Sequence, residues 1–186
     1  MAFDDRWGGV CRRPRAIVVG AGHVGLHTSR IAVAVGFDVT VVDDREGFAD
    51  PERFPEAERV TVGKLGEALA GISIDGDSYV VVVTRGHGED GATLRQVVSS
   101  GAAYVGMIGS RTRVRTVKER PIQDGFPRET VDRVHAPIGL DIGAETPEVI
   151  VLSIVAEMVK VRRRHSAGRR RGRGPSEVPS ALGALS

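Results

Sequence analysis

The residues whose types and spacing could do chemistry fall in glycine-rich stretches that each follow an apolar run. Gly20, Gly22 and Gly25 come directly after Ala16-Ile-Val-Val19, and an amphipathic run starts at once behind them. This G-x-G-x-x-G spacing is that of a turn between a strand and a helix in a dinucleotide-binding unit. The first glycine turns the chain tightly, the second lets a phosphate approach the backbone, and the third lets the helix lie close on the strand. Free N–H groups at such a helix start, here around His23 and Val24, hold an anion with the help of the helix dipole. A second apolar run, Asp38-Val-Thr-Val-Val-Asp43, ends in a carboxylate able to accept hydrogen bonds from a ribose.

A second stretch, Arg85-Gly-His-Gly-Glu-Asp-Gly91, follows the continuously apolar Tyr79-Val-Val-Val-Val-Thr84. Thr84, Arg85 and His87 are expected beside the bound group. His87 and Asp90, a titratable base and an acid three positions apart, are the candidate catalytic pair. A polar loop with a helix cap uses the same residue types. The third stretch, Gly109-Ser110-Arg111, offers close backbone approach, a hydroxyl and a guanidinium able to grip phosphate with two N–H donors, or simply a capped helix with a solvated arginine. Asp141 and Glu145 sit in a later connection expected to return to the same sheet edge. No G-x-S-x-G elbow is present, and His23 and His27 lack a third ligand, so the pattern indicates neither a serine hydrolase nor a metal site.

The elements that must position these residues alternate. Strands are expected at Ala16–Val19, Val39–Val42, Arg59–Val62, Tyr79–Thr84 and Ala103–Ile108. Helices are expected from His23 to Val35, from Leu65 to Ala70, from the second glycine stretch to Ser100, and from Arg111 to about Glu119, ahead of Pro121. Residues 45–58 read as a surface loop, Asp124–Val131 as a turn into a short helix, and His135–Gly143 as a glycine-punctuated connection. Thr146 caps a last helix with Pro147 at its first position and an apolar run from Val149 to Val161. Such alternation specifies an α/β fold with a doubly wound parallel sheet, whose ligands sit outside the carboxyl ends of the strands where strand order reverses.

The 186 residues suit one domain, residues 16–163, with a lead-in at 1–15 and a basic, disordered tail at 164–186. The net charge of +2 averages unlike regions: from Lys160 onward there are eight basic residues and one acid, leaving residues 1–159 at −5. No aromatic side chain interleaves the tail's arginines, so no specific nucleic acid is implied. No run approaches the roughly 18 apolar residues of a membrane span, and Met1-Ala-Phe-Asp-Asp lacks a signal pattern, so no membrane partner and a cytoplasmic location are expected. Cys11, the single cysteine, reads as an inert thiol.

Three motifs in order, Thr84-Arg-Gly-His-Gly-Glu-Asp90, Tyr104-Val-Gly-Met-Ile-Gly-Ser-Arg111 and His135-Ala-Pro-Ile-Gly-Leu-Asp-Ile-Gly-Ala-Glu-Thr-Pro-Glu148 running into Ser153-Ile-Val-Ala-Glu157, resemble the C-terminal Rossmann domain of the XdhC/CoxI family. Those proteins are accessories of xanthine dehydrogenase and related molybdenum hydroxylases. The resemblance implies a Rossmann-like cofactor chaperone that binds molybdenum cofactor (molybdopterin), protects it during sulfuration and delivers it to a molybdenum hydroxylase apoenzyme. Typical members carry a further domain before this one, which implies a separately encoded N-terminal-type partner. The resemblance also admits a homodimer through the apolar helix after Thr146. Two rival readings use the same crevice: an NAD(P)-dependent oxidoreductase, with Asp43 favouring NAD and Arg45 admitting NADP, and a stand-alone nucleotide-binding module.

Overall fold

The valine-rich runs form a five-stranded, wholly parallel sheet in the order β3-β2-β1-β4-β5. The strands are β1 (Arg15–Val19), β2 (Asp38–Asp43), β3 (Arg59–Val62), β4 (Ser78–Val82) and β5 (Tyr104–Met107). The computed structural model describes residues 13–84 and 89–172, with residues 89–90 and 166–172 as backbone only. Every residue of β4 is buried, as a β-branched run covered on both faces should be. The helices are α1 (His23–Ala34), α2 (Leu65–Ala70), α3 (Glu89–Val98), α4 (Arg111–Gln123), α5 (Arg128–Asp132) and α6 (Pro147–Gly172). Among the described residues no helix is long and apolar enough to cross a membrane.

Alternation along each strand sorts the core into two layers. Val18, Val39, Val41 and Val81 face Ala32 of α1 and Ile154 and Met158 of α6. Ile17, Val42, Val80 and Met107 face Leu65 and Leu69 of α2, Leu94 and Val97 of α3, Val114 of α4 and Val131 of α5. Register places Val19 opposite both Val42 and Val82, so β1, β2 and β4 end level and their following loops lie side by side.

Three sequence expectations change. The helix after Arg111 runs through Pro121 to Gln123 instead of stopping near Glu119; Pro121 is buried, and that packing offsets the backbone bond its ring removes. The stretch 45–58 is ordered rather than a plain surface loop. Ala49 and Phe54 are core residues, and the Asp50 side chain caps a short 3-10 turn, Pro51–Arg53, by accepting the Glu52 N–H. Finally, α6 continues to Gly172, past the expected tail boundary at 164, because arginine is a good helix former. Arg162, counted with the tail's charges, is instead half-buried: it stacks 4.7 Å over Phe37 and donates to the Val35 carbonyl at 2.9 Å. Residues 1–12 with Cys11, and 173–186, lie outside the described residues.

The connection His135–Gly143 extends the sheet beyond β5. The His135 N–H donates to Val105 O at 2.9 Å, and the Met107 N–H donates to His135 O at 3.0 Å. This segment is clamped from α6 by Glu157, whose carboxylate accepts the Tyr104 hydroxyl at 2.6 Å and the Gly139 N–H at 3.0 Å. His135 Nδ1 lies 3.0 Å from its other oxygen. Burial alone would push the Glu157 carboxyl up, but these hydrogen bonds, His135's foremost, hold it below its ordinary value. Burial, with Glu157 as neighbour, pushes the Tyr104 phenol far up. Glu157→Ala strands a buried hydroxyl and a backbone N–H, so chemical denaturation should show a loss of about 2–3 kcal/mol. Hydrogen exchange at Gly139 should accelerate in the same variant, while Glu157→Gln, which keeps an acceptor, should lose less.

Candidate cofactor-binding crevice

Strand order reverses between β1 and β4, and the chain turns there on Gly20. Its φ is +113°, and a Cβ added to it would lie 2.8 Å from the Val83 carbonyl oxygen, so the turn leaves room for no side chain. A Cβ at Gly25 would strike the Gly20 carbonyl oxygen, so α1 lies directly on the turn. Gly22 differs: a Cβ there meets nothing within 4 Å, and the residue sits at the start of α1 with no side chain capping the helix. The first-turn N–H groups of His23, Val24 and Gly25 therefore have no intrahelical partner and point where an anion can take them.

Two neighbouring loops join this turn. Thr84 follows β4, its backbone nitrogen 3.0 Å from the position of a Gly20 Cβ. The Ile108 N–H donates to Val82 O at 2.9 Å, which carries the ladder to Gly109 on the far side of β4. There the Ser110 hydroxyl accepts the Arg113 N–H at 3.3 Å and caps α4, so its oxygen serves the helix, while Arg111 is exposed. On the other side, His23 Nε2 lies 4.0 Å from Glu148 Oε1 in the first turn of α6, and His23 meets the His27 ring edge-on at 4.4 Å. Among the described residues no three metal-ligating side chains gather. Hydrogen bonds from its own N–H and the Thr146 hydroxyl hold the Glu148 carboxyl below its ordinary value. Since Ile138 N–H bonds to Met107 O and Glu148 abuts His23, the segment carrying Asp141 and Glu145 returns to the carboxyl end of the sheet, where both are exposed.

Gly20, Gly22, His23, Val24, Gly25, Thr84, Gly109, Ser110 and Arg111 thus lie along one end of the sheet. Arg85 and His87 lie outside the described residues; Asp90 belongs to α3 by its backbone, and its side chain lies outside them too.

Asp43, the expected ribose acceptor, has both oxygens engaged within the chain. It is 2% exposed and already fully engaged. Oδ2 accepts the Ala21 N–H at 2.6 Å and Arg45 Nη2 at 2.7 Å; Oδ1 accepts the Arg45 N–H at 3.0 Å and Nε at 2.8 Å. Burial would raise its pKa, yet the bonds from Arg45 and Ala21 outweigh that and hold it at about 2. Arg45, Tyr104 and Glu157 are the structurally decisive residues that motif spacing did not single out for these contacts. The Asp43/Arg45 separation of two positions was the available signal for the first.

The family model for the XdhC Rossmann domain matches residues 16–158. The chain belongs to the XdhC family. This XdhC domain is 32% identical over 157 residues to YqeB of Escherichia coli K12, covering 84% of the chain and 29% of that protein. It is 30% identical over 152 residues to a Bacillus subtilis 168 protein named as a probable xanthine dehydrogenase subunit, covering 82% and 44%. The molybdenum cofactor insertion chaperone PaoD of Escherichia coli K12 is 24% identical over 149 residues, covering 80% and 40%. A crystal structure from Bacillus halodurans, described as a xanthine dehydrogenase, superposes with a TM-score of 0.71 at 28% identity, covering 90% of this chain and 45% of that one. The XdhC domain therefore spans less than half the length of these relatives.

Because Asp43 is depressed from 3.8 to about 2, its contribution to stability is complete above pH 4 and is lost as pH falls through about 2. Asp43→Asn should be less stable than wild type by about 2 kcal/mol at neutral pH. That gap should close towards pH 2, as read from denaturation midpoints across pH.

Proposed function

We propose that this XdhC domain acts in the maturation of a molybdenum hydroxylase, binding molybdenum cofactor in the crevice at the carboxyl end of β1 and β4. The observation that carries this reading is the open backbone at Gly22 beside the uncapped start of α1, in a chain of this family. A phosphate-bearing heterocycle fits such a cradle: backbone N–H groups take the phosphate, and the gap above Gly22 admits it without moving a side chain. The relatives named as a xanthine dehydrogenase subunit and as a cofactor insertion chaperone support the same assignment.

In this reading Gly20, Gly22, His23, Val24 and Gly25 hold the phosphate end, with Gly109, Ser110 and Arg111 beyond it. Thr84 lines the side towards the reactive end. The bound cofactor supplies a dithiolene-held metal; the chain's own part is to position it and shield it until transfer. The partner is the hydroxylase apoenzyme.

The test is purification from cells that make molybdopterin, followed by fluorescence of the oxidised pterin. Wild type should carry a pterin. Gly22→Val, whose Cβ meets nothing within 4 Å at an extended backbone position, should fold with a melting temperature within a few degrees of wild type and lose most of the pterin. A wild-type protein that carries no pterin and binds none on addition would overturn the proposal.

A further inference from the structure

His23 is the first residue of α1, a helix with neither a capping side chain nor an acid in its first turn. Cα–Cβ bonds tilt towards the N-terminus of a helix, so a side chain at the first position leans back towards the free N–H groups there. Its Nε2 lies 4.0 Å from Glu148 Oε1, and its ring meets His27 edge-on at 4.4 Å. Nδ1, the nitrogen nearer the backbone, has no hydrogen-bond partner among the described residues. A protonated imidazole donates from both nitrogens. With one N–H directed at Glu148, the other is left for an anion at the helix start.

Glu148 does not cancel that charge. It stands in the first turn of α6, where its own N–H and the Thr146 hydroxyl stabilise the carboxylate, and the start of that helix answers its negative charge. The two side chains are 61% and 73% exposed, so water screens their attraction and the imidazole exchanges protons freely with solvent. The other charged groups near it among the described residues are His27, one turn further along α1, and the pair below Ala21, Asp43 with Arg45, which compensate each other and have Asp44 3.8 Å from the same guanidinium.

We infer that the His23 imidazolium is a side-chain ligand for a tetrahedral dianion, such as a phosphate monoester, at the start of α1, so that the crevice holds its guest more tightly at low pH and loosens as His23 loses its proton. The inference deepens the proposed function, from which it takes the crevice as the ligand site. Histidine is the side chain whose charge changes across the physiological range, and by reciprocity an anion that binds the charged form better also makes that form harder to deprotonate.

Sulfate is the probe, because it stays a dianion over this range whereas phosphate itself titrates. The full chain, expressed in cells that make no molybdopterin, is titrated with sulfate from about pH 5.5 to about pH 8, either side of an ordinary imidazole. Amide signals of Gly22, His23, Val24 and Gly25 report binding by NMR. Wild-type affinity should fall about tenfold over that range, the equivalent of moving the His23 titration by one pH unit. The His23 ring signals should accordingly titrate at higher pH with sulfate present than without it. His23→Gln, at an exposed position, should keep the melting temperature and bind sulfate at every pH as weakly as wild type does at about pH 8. His27→Gln should keep the fall, which assigns it to His23. Sulfate that leaves these amides unmoved, a fall that survives in His23→Gln, a fall abolished by His27→Gln, or a His23 titration unchanged by sulfate overturns the inference. Because no pterin enters this assay, its outcome is independent of the co-purification experiment.

Discussion

A carboxylate buried at the end of a parallel strand must be surrounded by donors or be neutralised, since leaving it ionised and unpaired in a low-dielectric interior is prohibitively costly. Asp43 meets this demand with backbone N–H groups from two loops and the fork of Arg45, and in doing so ties the glycine turn after β1 to the loop after β2. The direction from which α1 leaves the sheet follows from that tie together with the seat of Gly25 against the Gly20 carbonyl. The glycine turn after β1 is therefore fixed by contacts within the fold itself.

Glu157 plays the matching part on the opposite side of the sheet. It reaches from α6 to Tyr104, His135 and the Gly139 backbone, holding the connection that adds an edge to β5. Both carboxylates stabilise irregular backbone flanked by glycine, where regular ladder bonds are absent and a side-chain acceptor must take their place. The packing of α6 on α1 completes the frame, since it brings the start of α6, with Glu148, against His23 beside the glycine turn.

How much of this was legible beforehand depends on the range of the interactions concerned. Alternation of valine runs with amphipathic runs is local, so the strands, most helices and the doubly wound order followed from it, as did the tasks of Gly20 and Gly25. The passage of α4 through Pro121 was not legible, because the gain that offsets the missing bond comes from the burial of Pro121 in the folded chain. Nor was the place of Arg162: a run of arginines reads as solvated charge until Phe37, far earlier in sequence, supplies a ring for the guanidinium to cover.

Residue types and spacing by themselves determined the sheet, the glycine turn and the presence of an acid at the end of β2, because steric preference and hydrophobic period act over a few neighbours. Only the tertiary structure decided what that acid is available for. Hydrogen-bond capacity is consumed by whichever donors the fold brings within 3 Å, and the Ala21 N–H that takes one share lies 22 positions away. The same carboxylate is an open acceptor or a closed one according to that three-dimensional competition, which a linear motif does not record.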